Sequence, residues 1–396
     1  MRPLMVVECP PGREVLDVLR PALAAALDGS GPAVVPVPAT DTAVRTRVLA
    51  AVRPDEGCDP RAAVLVATSG STGEPKGVLL GGSALRASAE GTHSSLGGPG
   101  QWLLTLPATH IAGLQVVLRS MLAGTEPVVL DGSERFTAER FVTATEALSG
   151  SRRYTSLVPT QLGRLVDAGG AALRALSTYD AVLVGGAAAS PSVVTAARDA
   201  GARVVLTYGM TETCGGCVYD RRPLPGVSVS VDVGGDGRIR LSGPVLALGY
   251  HRRPHLTAAA FVDGAFLTGD LGRVRPDGAL DVLGRADDVI VTGGVKVASA
   301  AVEAVLAACD GVGECAVVGV PDQEWGHRVV AFVVARARPP LRPEALRRAV
   351  ADELGRAWAP REVVVVRALP VLPSGKVDRA ALVSAAVLAE AGQSSP

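Results

Sequence analysis

The chain has 396 residues, 48% of them hydrophobic and 20% charged, which is typical of a globular protein with two or more hydrophobic cores. Thirty-nine basic residues balance thirty-nine acidic ones, so bulk charge favours neither a nucleic-acid nor an anionic-membrane partner. No apolar run reaches the length of a membrane span, and the first apolar stretch is too short for a signal peptide, so we expect a soluble cytoplasmic protein.

Short apolar runs alternate with helix-like stretches between about residue 62 and residue 206. The apolar runs lie at 62–68, 102–107, 126–130, 154–159, 180–186 and 202–209. The helix-like stretches include 111–123, 138–148 and 191–200. Buried parallel strands joined by crossover helices give this alternation. The sequence therefore predicts α/β architecture, with layered, mostly parallel sheets and helices on both faces.

The pattern changes after Tyr208. Residues 227–250 are strand-rich with Gly–Asp turns, which predicts a small barrel-like antiparallel part, and 273–284 form a hairpin pattern around Asp277–Gly278. A further boundary falls near 284–289. Beyond it we predict a compact α+β unit with helices at 299–308, 343–354 and 378–390 and strands at 315–320, 327–335 and 361–367. We therefore divide the chain into a large domain, 1–285, and a small one, 286–396.

Cys214 and Cys217 form a Cys-x-x-Cys pattern, which is found in zinc and redox sites. A zinc knuckle would need a second ligand pair, and none occurs at suitable spacing. The redox motif normally opens a helix in a thioredoxin-like unit, which this is not. We therefore interpret the two cysteines as small, reduced core residues that flank a glycine pair.

The stretch TSGSTGEPKG, residues 68–77, combines three glycines, four hydroxyl residues and Lys76 directly after an apolar strand. It lacks the Gly-Lys-Ser/Thr spacing of a Walker loop, which disfavours a P-loop kinase or ATPase. Glycines let backbone N–H groups approach a polyphosphate, hydroxyls add donors and lysine adds charge. The composition predicts a phosphate-binding loop, with an ordinary surface turn as the alternative.

Four further motifs follow this loop along the chain: TYGMTET (207–213), FLTGDLG (266–272), GRADDVIVTGGVKV (284–297) and LPSGKVDR (372–379). In order and spacing, the five motifs resemble those of the acyl-adenylate-forming superfamily of acyl-CoA synthetases, luciferases and peptide-synthetase adenylation domains. The resemblance covers the chain from about residue 62 onward, while the region before residue 60 is shorter than usual for the superfamily. It implies an enzyme that uses ATP and Mg²⁺ to activate a carboxylic acid.

The resemblance also implies roles for individual residues. The phosphate loop would comprise Thr68, Ser69, Gly70, Ser71, Thr72, Gly73 and Lys76. Thr211 would bind the α-phosphate and Glu212 the magnesium ion, for which a carboxylate is a suitable hard ligand. Tyr208 would stack on adenine above the backbone of 185–189, which includes Gly186. Asp270 and Arg285 would hold the ribose.

Lys376 matches the lysine that bridges the acid and the α-phosphate during adenylation. The chain has only three lysines, Lys76, Lys296 and Lys376, and all three lie inside the motifs although arginine is used almost everywhere else. A compact point charge on a flexible stem is not interchangeable with a guanidinium, so this retention is independent support for the resemblance. The small domain would be mobile, with its hinge near Asp287, and Gly293 and Gly294 would line the thiol tunnel.

The acid itself follows from a closer resemblance. Thr109 and His110 occupy the place where amino-acid-activating domains carry an aspartate, which disfavours an α-amino acid. The chain is most similar to o-succinylbenzoate–CoA ligases of menaquinone biosynthesis in their actinobacterial form, which implies CoA as co-substrate. The alternatives are another acyl- or aryl-CoA synthetase, a stand-alone enzyme that loads a carrier protein, and, more remotely, a catalytically silent nucleotide-binding regulator.

The second carboxylate of o-succinylbenzoate stays ionised, so a cation should meet it. Gln115 and Arg119 share one face of the helix predicted after His110, and that face is either solvated or turned to the acid. The predicted acid pocket comprises His110, Gln115, Arg119, Arg153 and Gly209, with Arg119 as first candidate for the carboxylate and Arg153 as second. A homodimer remains possible, since dimers are the commonest soluble assembly.

Overall fold

The computed structural model describes residues 1–69, 75–232, 237–335, 341–370 and 377–393, and it describes the backbone alone for Ser69, Asp287 and residues 389–393. Within these ranges no helix is long and apolar enough to cross a membrane. The described α-helices are α1 (Glu14–Asp28), α2 (Thr42–Val52), α3 (Gly82–Ser95), α4 (Ile111–Ala123), α5 (Ala138–Glu146), α6 (Pro159–Ala168), α7 (Gly170–Ser177), α8 (Pro191–Asp199), α9 (Pro254–Ala260), α10 (Ser299–Ala307), α11 (Pro343–Leu354) and α12 (Arg379–Gln393).

The strands fall into four sheets. In chain order they are β1 (Leu4–Cys9), β2 (Ala33–Pro38), β3 (Ala62–Ser69), β4 (Pro75–Gly81), β5 (Gln101–Leu104), β6 (Val128–Val129), β7 (Arg153–Leu157), β8 (Ala181–Val184), β9 (Val204–Met210), β10 (Gly215–Tyr219), β11 (Arg222–Pro223), β12 (Ser228–Val231), β13 (Arg238–Ser242), β14 (Gly249–Tyr250), β15 (Phe261–Val262), β16 (Ala265–Val274), β17 (Leu280–Arg285), β18 (Val289–Thr292), β19 (Val295–Ala298), β20 (Val312–Asp322), β21 (Gly326–Ala335) and β22 (Glu362–Val366).

The first sheet has the order β1-β2-β3-β4-β14. Its first three strands are parallel neighbours separated in sequence by α1 and α2, whereas β4 is antiparallel to both β3 and β14. α1 buries Leu16, Leu19 and Leu23 in the core on this sheet. The strand–helix alternation thus begins at β1, earlier than the sequence pattern indicated. β3 and β4 flank the predicted phosphate loop, and Thr68 pairs with Lys76 across them.

The second sheet has the order β11-β10-β9-β8-β7-β5-β6 and confirms the predicted alternation. The five strands from β5 to β9 are parallel to their neighbours, and β10 then turns back antiparallel to β9. β8 is buried along its whole length, as expected for a strand between two layers. Because the strands are parallel, their carboxyl ends meet at one edge, where ligands bind in open α/β sheets.

The third sheet is antiparallel, in the order β12-β13-β16-β15 with β17 beside β16, and it confirms the predicted antiparallel part. The predicted hairpin joins β16 to β17, and its turn requires Gly278, whose φ of +82° is in the left-handed region. Asp270 and Arg285 lie opposite each other near the far end of this hairpin from the turn.

The fourth sheet contains β18 to β22 and, with α10, α11 and α12, forms the predicted α+β unit. β20 and β21 are a long antiparallel pair, and β22 is parallel to β21. Separate apolar clusters, one around Val297, Leu306 and Val333 and another around Phe332 and Leu382, fill its two sides. A single-turn helix at Ala286–Asp288 connects the third sheet to the fourth. The division at residue 285 stays a prediction.

Candidate active site

Lys76, Glu212 and Tyr250 form a polar cluster where β4 meets the turn after β9. Lys76 Nζ lies 3.0 Å from Glu212 Oε1 and donates a hydrogen bond of 3.0 Å to Tyr250 Oη. The Tyr250 hydroxyl in turn donates to Glu212 Oε1 at 2.8 Å, and Lys76 Nζ lies 4.1 Å from the centroid of the tyrosine ring. Burial and the Glu212 charge raise the pKa of Tyr250, so its hydroxyl stays protonated as a donor.

A tight turn presents Thr211 and Glu212 at the carboxyl end of β9. The single-turn helix Thr211–Thr213 is fixed by Thr213, whose hydroxyl accepts from Met210 N–H at 3.0 Å and donates to Gly215 O at 2.7 Å. Gly209 makes this return possible, because a Cβ there would lie 2.2 Å from Gly215 O. Thr211 and Glu212 are both buried.

Tyr208, Asp270 and Arg285 form a second polar cluster. The Tyr208 hydroxyl donates to Asp270 Oδ2 at 2.8 Å, and Arg285 Nη1 lies 3.5 Å from Asp270 Oδ1. Burial, and secondarily the Asp270 charge, raise the pKa of Tyr208. Residues predicted from three separate motifs therefore meet, with Tyr208 and Arg285 beside the Asp270 carboxylate.

A cavity of about 120 Å³ lies between α4 and the carboxyl ends of β7, β8 and β9. Of the predicted residues, Gln115, Arg119, Gly186 and Gly209 line it. Its remaining lining is contributed by Leu106, Ile111, Ala112, Ser156, Leu157, Val158, Leu183, Gly185, Thr207, Met210, Gly215, Gly216 and Tyr219. The wall is mostly apolar with a few polar groups, which is the usual composition of a small-molecule site.

Arg119 is buried in this wall, at 3% exposure. Its guanidinium lies 5.0 Å from the centroid of the Trp102 ring and donates a long hydrogen bond, 3.4 Å, to the Tyr219 hydroxyl. Its Nε and Gln115 Oε1 have no hydrogen-bond partner among the described residues, where no carboxylate pairs with Arg119. Burial lowers the pKa of Arg119, yet a guanidinium stays charged in proteins. The face of α4 that the sequence left open is therefore turned inward, and it carries a positive charge that no carboxylate of the described residues compensates.

Two predicted pocket residues lie elsewhere. Arg153 begins β7, whereas the cavity is reached only at Ser156 and beyond, so Arg153 is at the opposite, amino-terminal edge of the sheet, where its Nε donates to Gly150 O at 3.1 Å. His110 is the exposed residue before α4, and only the following Ile111 reaches the cavity. The cavity lining thus includes neither Arg153 nor His110, and their place in the acid pocket stays a prediction.

Several predicted residues fall outside what the structure describes. Gly70, Ser71, Thr72, Gly73 and Lys376 lie outside the described residues, and the side chains of Ser69 and Asp287 are likewise not described. Thr68 is described at the end of the β3–β4 ladder. Gly293 and Gly294 form the β18–β19 turn with φ of +54° and +80°, and a Cβ on Gly293 would lie 2.6 Å from the Trp325 ring. Their predicted roles stay predictions.

The described side chains fit a magnesium site of the kind completed by substrate. No group of three or more His, Cys, Asp or Glu residues that could hold a metal occurs in the described part of the chain. Glu212 offers one carboxylate, and Mg²⁺ is usually bound by one or two carboxylates together with substrate phosphates. Cys214 and Cys217 are fully buried free thiols, and burial raises the pKa of Cys217 to about 12, in agreement with their interpretation as core residues.

Sequence reasoning missed Tyr250 and Tyr219. Tyr250 contacts both charged members of the first cluster, and Tyr219 contacts Arg119 across the cavity wall. Composition was the signal that could have indicated them. The chain has only five tyrosines, and Tyr208, Tyr219 and Tyr250 all lie at the site.

The chain matches known proteins along most of its length. Residues 15–251 match the family described as AMP-binding enzyme, and residues 301–376 match the AMP-binding enzyme C-terminal domain. The chain is 48% identical over 377 residues to a Mycobacterium tuberculosis protein named "Probable 2-succinylbenzoate--CoA ligase", covering 94% of this chain and 96% of that protein.

Two solved structures extend the comparison. The amide bond synthetase McbA from Marinactinospora thermotolerans is 28% identical, with a TM-score of 0.74 over 97% of this chain and 89% of that chain. O-succinylbenzoate Coenzyme A Synthetase (MenE) from Bacillus subtilis, solved in complex with ATP and magnesium ion, is also 28% identical, with a TM-score of 0.64 over 81% and 69%.

Proposed function

We propose that this chain, which belongs to the AMP-binding enzyme family, is an ATP-dependent o-succinylbenzoate–CoA ligase of menaquinone biosynthesis. The succinyl carboxylate attacks the α-phosphorus of ATP and expels pyrophosphate. The thiol of CoA then attacks the acyl carbonyl and expels AMP. The name of the 48% identical relative supports this substrate, and the observation that carries it in the structure is the uncompensated charge of Arg119 beside the cavity.

The two polar clusters bind different parts of the nucleotide: one binds the ribose and the other binds the phosphates. Asp270 accepts from the ribose hydroxyls with Arg285 beside it, while Tyr208 stacks on adenine and Gly185 and Gly186 offer backbone beside that ring. Lys76 leaves Glu212 for the phosphates, and the freed Glu212 carboxylate would hold the magnesium ion that accompanies ATP. The ion supplies charge neutralisation at the phosphates when bound.

The acid enters the apolar cavity with its ring carboxylate against Arg119. A buried cation without a carboxylate partner is costly for the free protein, and an anionic substrate group removes that cost. Gln115 Oε1 and Tyr219 line the same wall and complete the polar end. Gly209 and Met210 also line the cavity, and Thr211 follows them directly in the chain, so in this proposal the succinyl carboxylate faces the nucleotide there.

Lys376 completes the adenylation site in this proposal, and its domain then turns about Asp287 to admit the thiol. Residues 1–285 stay fixed while residues 286–396 move, and Gly293 and Gly294 replace the lysine beside the acyl group. A few residues with large φ/ψ changes are sufficient for such a hinge. The single-turn helix Ala286–Asp288, between two separate sheets, is a suitable place for it.

The proposal is tested by measuring pyrophosphate release from ATP over a panel of acids. The panel holds o-succinylbenzoate, benzoate, a long-chain fatty acid and α-amino acids, and mass spectrometry identifies the CoA product. We expect o-succinylbenzoate to give the highest kcat/KM and a CoA thioester. A higher kcat/KM for another acid would indicate a different acyl- or aryl-CoA synthetase, and ATP binding without pyrophosphate release would indicate a regulator.

A further inference from the structure

Residues 247–251 connect both halves of the Lys76–Glu212 pair. The backbone N–H of Ala247 donates to Glu212 O at 2.8 Å, which fixes the turn that presents the carboxylate. The backbone N–H of His251 donates to Gly77 O, also at 2.8 Å, next to the residue that presents the ammonium. Tyr250 lies between these two anchors, and β14 pairs it with Val78 of β4. Its position is therefore tied to both charged groups independently of its own hydroxyl.

The Tyr250 ring is also fixed in orientation. Its backbone N–H donates to the Thr257 hydroxyl at 2.9 Å, and the Phe261 ring packs against it edge to face at 5.9 Å between centroids. Gly249, at φ +134°, allows the close approach of Thr257, whose Cγ2 would lie 2.4 Å from a Cβ there. Tyr250 is 6% exposed. The hydroxyl therefore reaches the ion pair from a held ring rather than from a mobile side chain.

The Tyr250 hydroxyl both donates and accepts a hydrogen bond within the cluster. The single proton of the Tyr250 hydroxyl goes to Glu212, and its oxygen accepts from Lys76. The ammonium thus divides its donors between the carboxylate and the tyrosine. Among the described residues, Glu212 thus has two side-chain partners, Lys76 and Tyr250, and of these Lys76 is required elsewhere when nucleotide binds.

We propose that Tyr250 is a positioning residue for the binding of magnesium–ATP: its hydroxyl holds Glu212 in place when Lys76 leaves that carboxylate for the phosphates. The proposal rests on the proposed function, because it assumes that Lys76 and Glu212 serve phosphate and metal. Separating a buried ion pair is costly unless each partner keeps another contact. Tyr250 supplies that contact to Glu212 through its hydroxyl and to the lysine stem through its ring face.

The test is Tyr250→Phe, which keeps the ring and removes only the hydroxyl. Without it, Lys76 is the side-chain partner that Glu212 keeps among the described residues. Once the lysine moves to the phosphates, no side-chain donor from that part of the chain orients the carboxylate for magnesium. A hydrogen bond to a charged group contributes enough for about a tenfold to hundredfold effect. We expect the Mg²⁺ concentration for half-maximal binding of a non-hydrolysable ATP analogue to rise by about tenfold or more, while the affinity in EDTA stays close to that of the wild type.

The matched control is Tyr179→Phe. Tyr179 is a buried tyrosine in another core, where its hydroxyl hydrogen-bonds to Thr145 Oγ1 at 2.8 Å, so this variant loses one buried hydroxyl away from the site. Its Mg²⁺ dependence should equal that of the wild type. In a Glu212→Gln background, Tyr250→Phe should change the Mg²⁺ dependence no further, because the tyrosine acts through the carboxylate.

Kinetics give a second readout. Tyr250→Phe should slow pyrophosphate release yet leave thioester formation from a supplied acyl-adenylate and CoA unchanged, since that step uses neither triphosphate nor its metal. Equal Mg²⁺ dependence in Tyr250→Phe and wild type, or an equal loss of analogue binding with and without Mg²⁺, would overturn the inference. Neither binding measurement contains acid or CoA, so a wrong acid in the proposed function would be seen in the acid panel and not here.

Discussion

Arg119→Leu is the substitution that separates recognition of the acid from recognition of ATP. Arg119 is 3% exposed, and no carboxylate of the described residues pairs with it. Replacement by leucine therefore leaves no carboxylate of the described residues unpaired. It also replaces a desolvated charge by an apolar side chain, and such replacements in buried sites often leave the free energy of unfolding unchanged or raise it. We expect the melting temperature to be unchanged or higher, so a loss of activity would not report unfolding.

The magnitude follows from the wall of the cavity. Removing one partner of a buried ion pair costs about 3–5 kcal/mol, because the other charge is left unpaired. Gln115 and the Tyr219 hydroxyl still line the cavity, so the lower end applies. A loss of about 3 kcal/mol corresponds to a roughly hundredfold lower kcat/KM for o-succinylbenzoate. The KM for ATP should be nearly unchanged, since Lys76, Glu212 and Asp270 are not altered.

The assay is pyrophosphate release with o-succinylbenzoate and with 4-oxo-4-phenylbutanoate, the same acid without its ring carboxylate. Arg119→Leu should handle the second acid at least as well as the wild type, because that acid brings no carboxylate to position 119 and the variant has no buried charge there to leave uncompensated. Arg153→Leu is the matched control: it removes an arginine at the edge of the second sheet opposite the cavity, and it should change the kinetics with neither acid. If Arg119→Leu keeps wild-type kinetics with o-succinylbenzoate, or loses both acids equally, the pairing is wrong.

Three further predictions concern other parts of the reaction and the core. Lys376→Ala should nearly abolish pyrophosphate release but retain thioester formation from a supplied acyl-adenylate, and comparable loss in both half-reactions would contradict its role. Asp287→Pro fixes φ near about −65° and should spare adenylation while slowing thioester formation, so equal loss of both with intact circular dichroism would exclude the hinge. Iodoacetamide at neutral pH should leave Cys214 and Cys217 of the native protein unlabelled by mass spectrometry, because burial raises the pKa of both thiols.

Local sequence patterns predicted the helices, the strands and many of the site residues. The orientation of those residues depends on contacts between distant parts of the chain. α4 was predicted from Ile111 to Ala123 and occurs with those bounds, but the orientation of its polar face was left open. Periodicity could not settle it, since a helix with a polar stripe normally turns that stripe to water. In the fold, α4 is covered on several sides, and residues 113–120 are all buried, so Arg119 faces a cavity instead.

Arg153 and Tyr250 show the same limit. Arg153 begins β7, whose far end lines the cavity, and the extended residues between them, at about 3.3 Å each, place Arg153 at the opposite edge of the sheet. Tyr250 is 174 residues from Lys76 along the chain, and the β4–β14 pairing brings the two together. Neither relation has a local signature, because strand direction and strand order are properties of the assembled sheet.

The two charged parts of the site differ in how the free protein compensates them. At the nucleotide side, Lys76 and Glu212 neutralise each other, so binding of magnesium–ATP begins by separating a pair that the protein already holds. At the acid side, the described residues leave Arg119 without a carboxylate, so an anionic acid binds without separating any pair. An internal pair suits a ligand that brings both a cation and an anion, since each partner regains an opposite charge. An unpaired buried arginine suits a ligand that brings an anion alone, and it discriminates against acids that lack the second carboxylate, because those would leave the charge uncompensated.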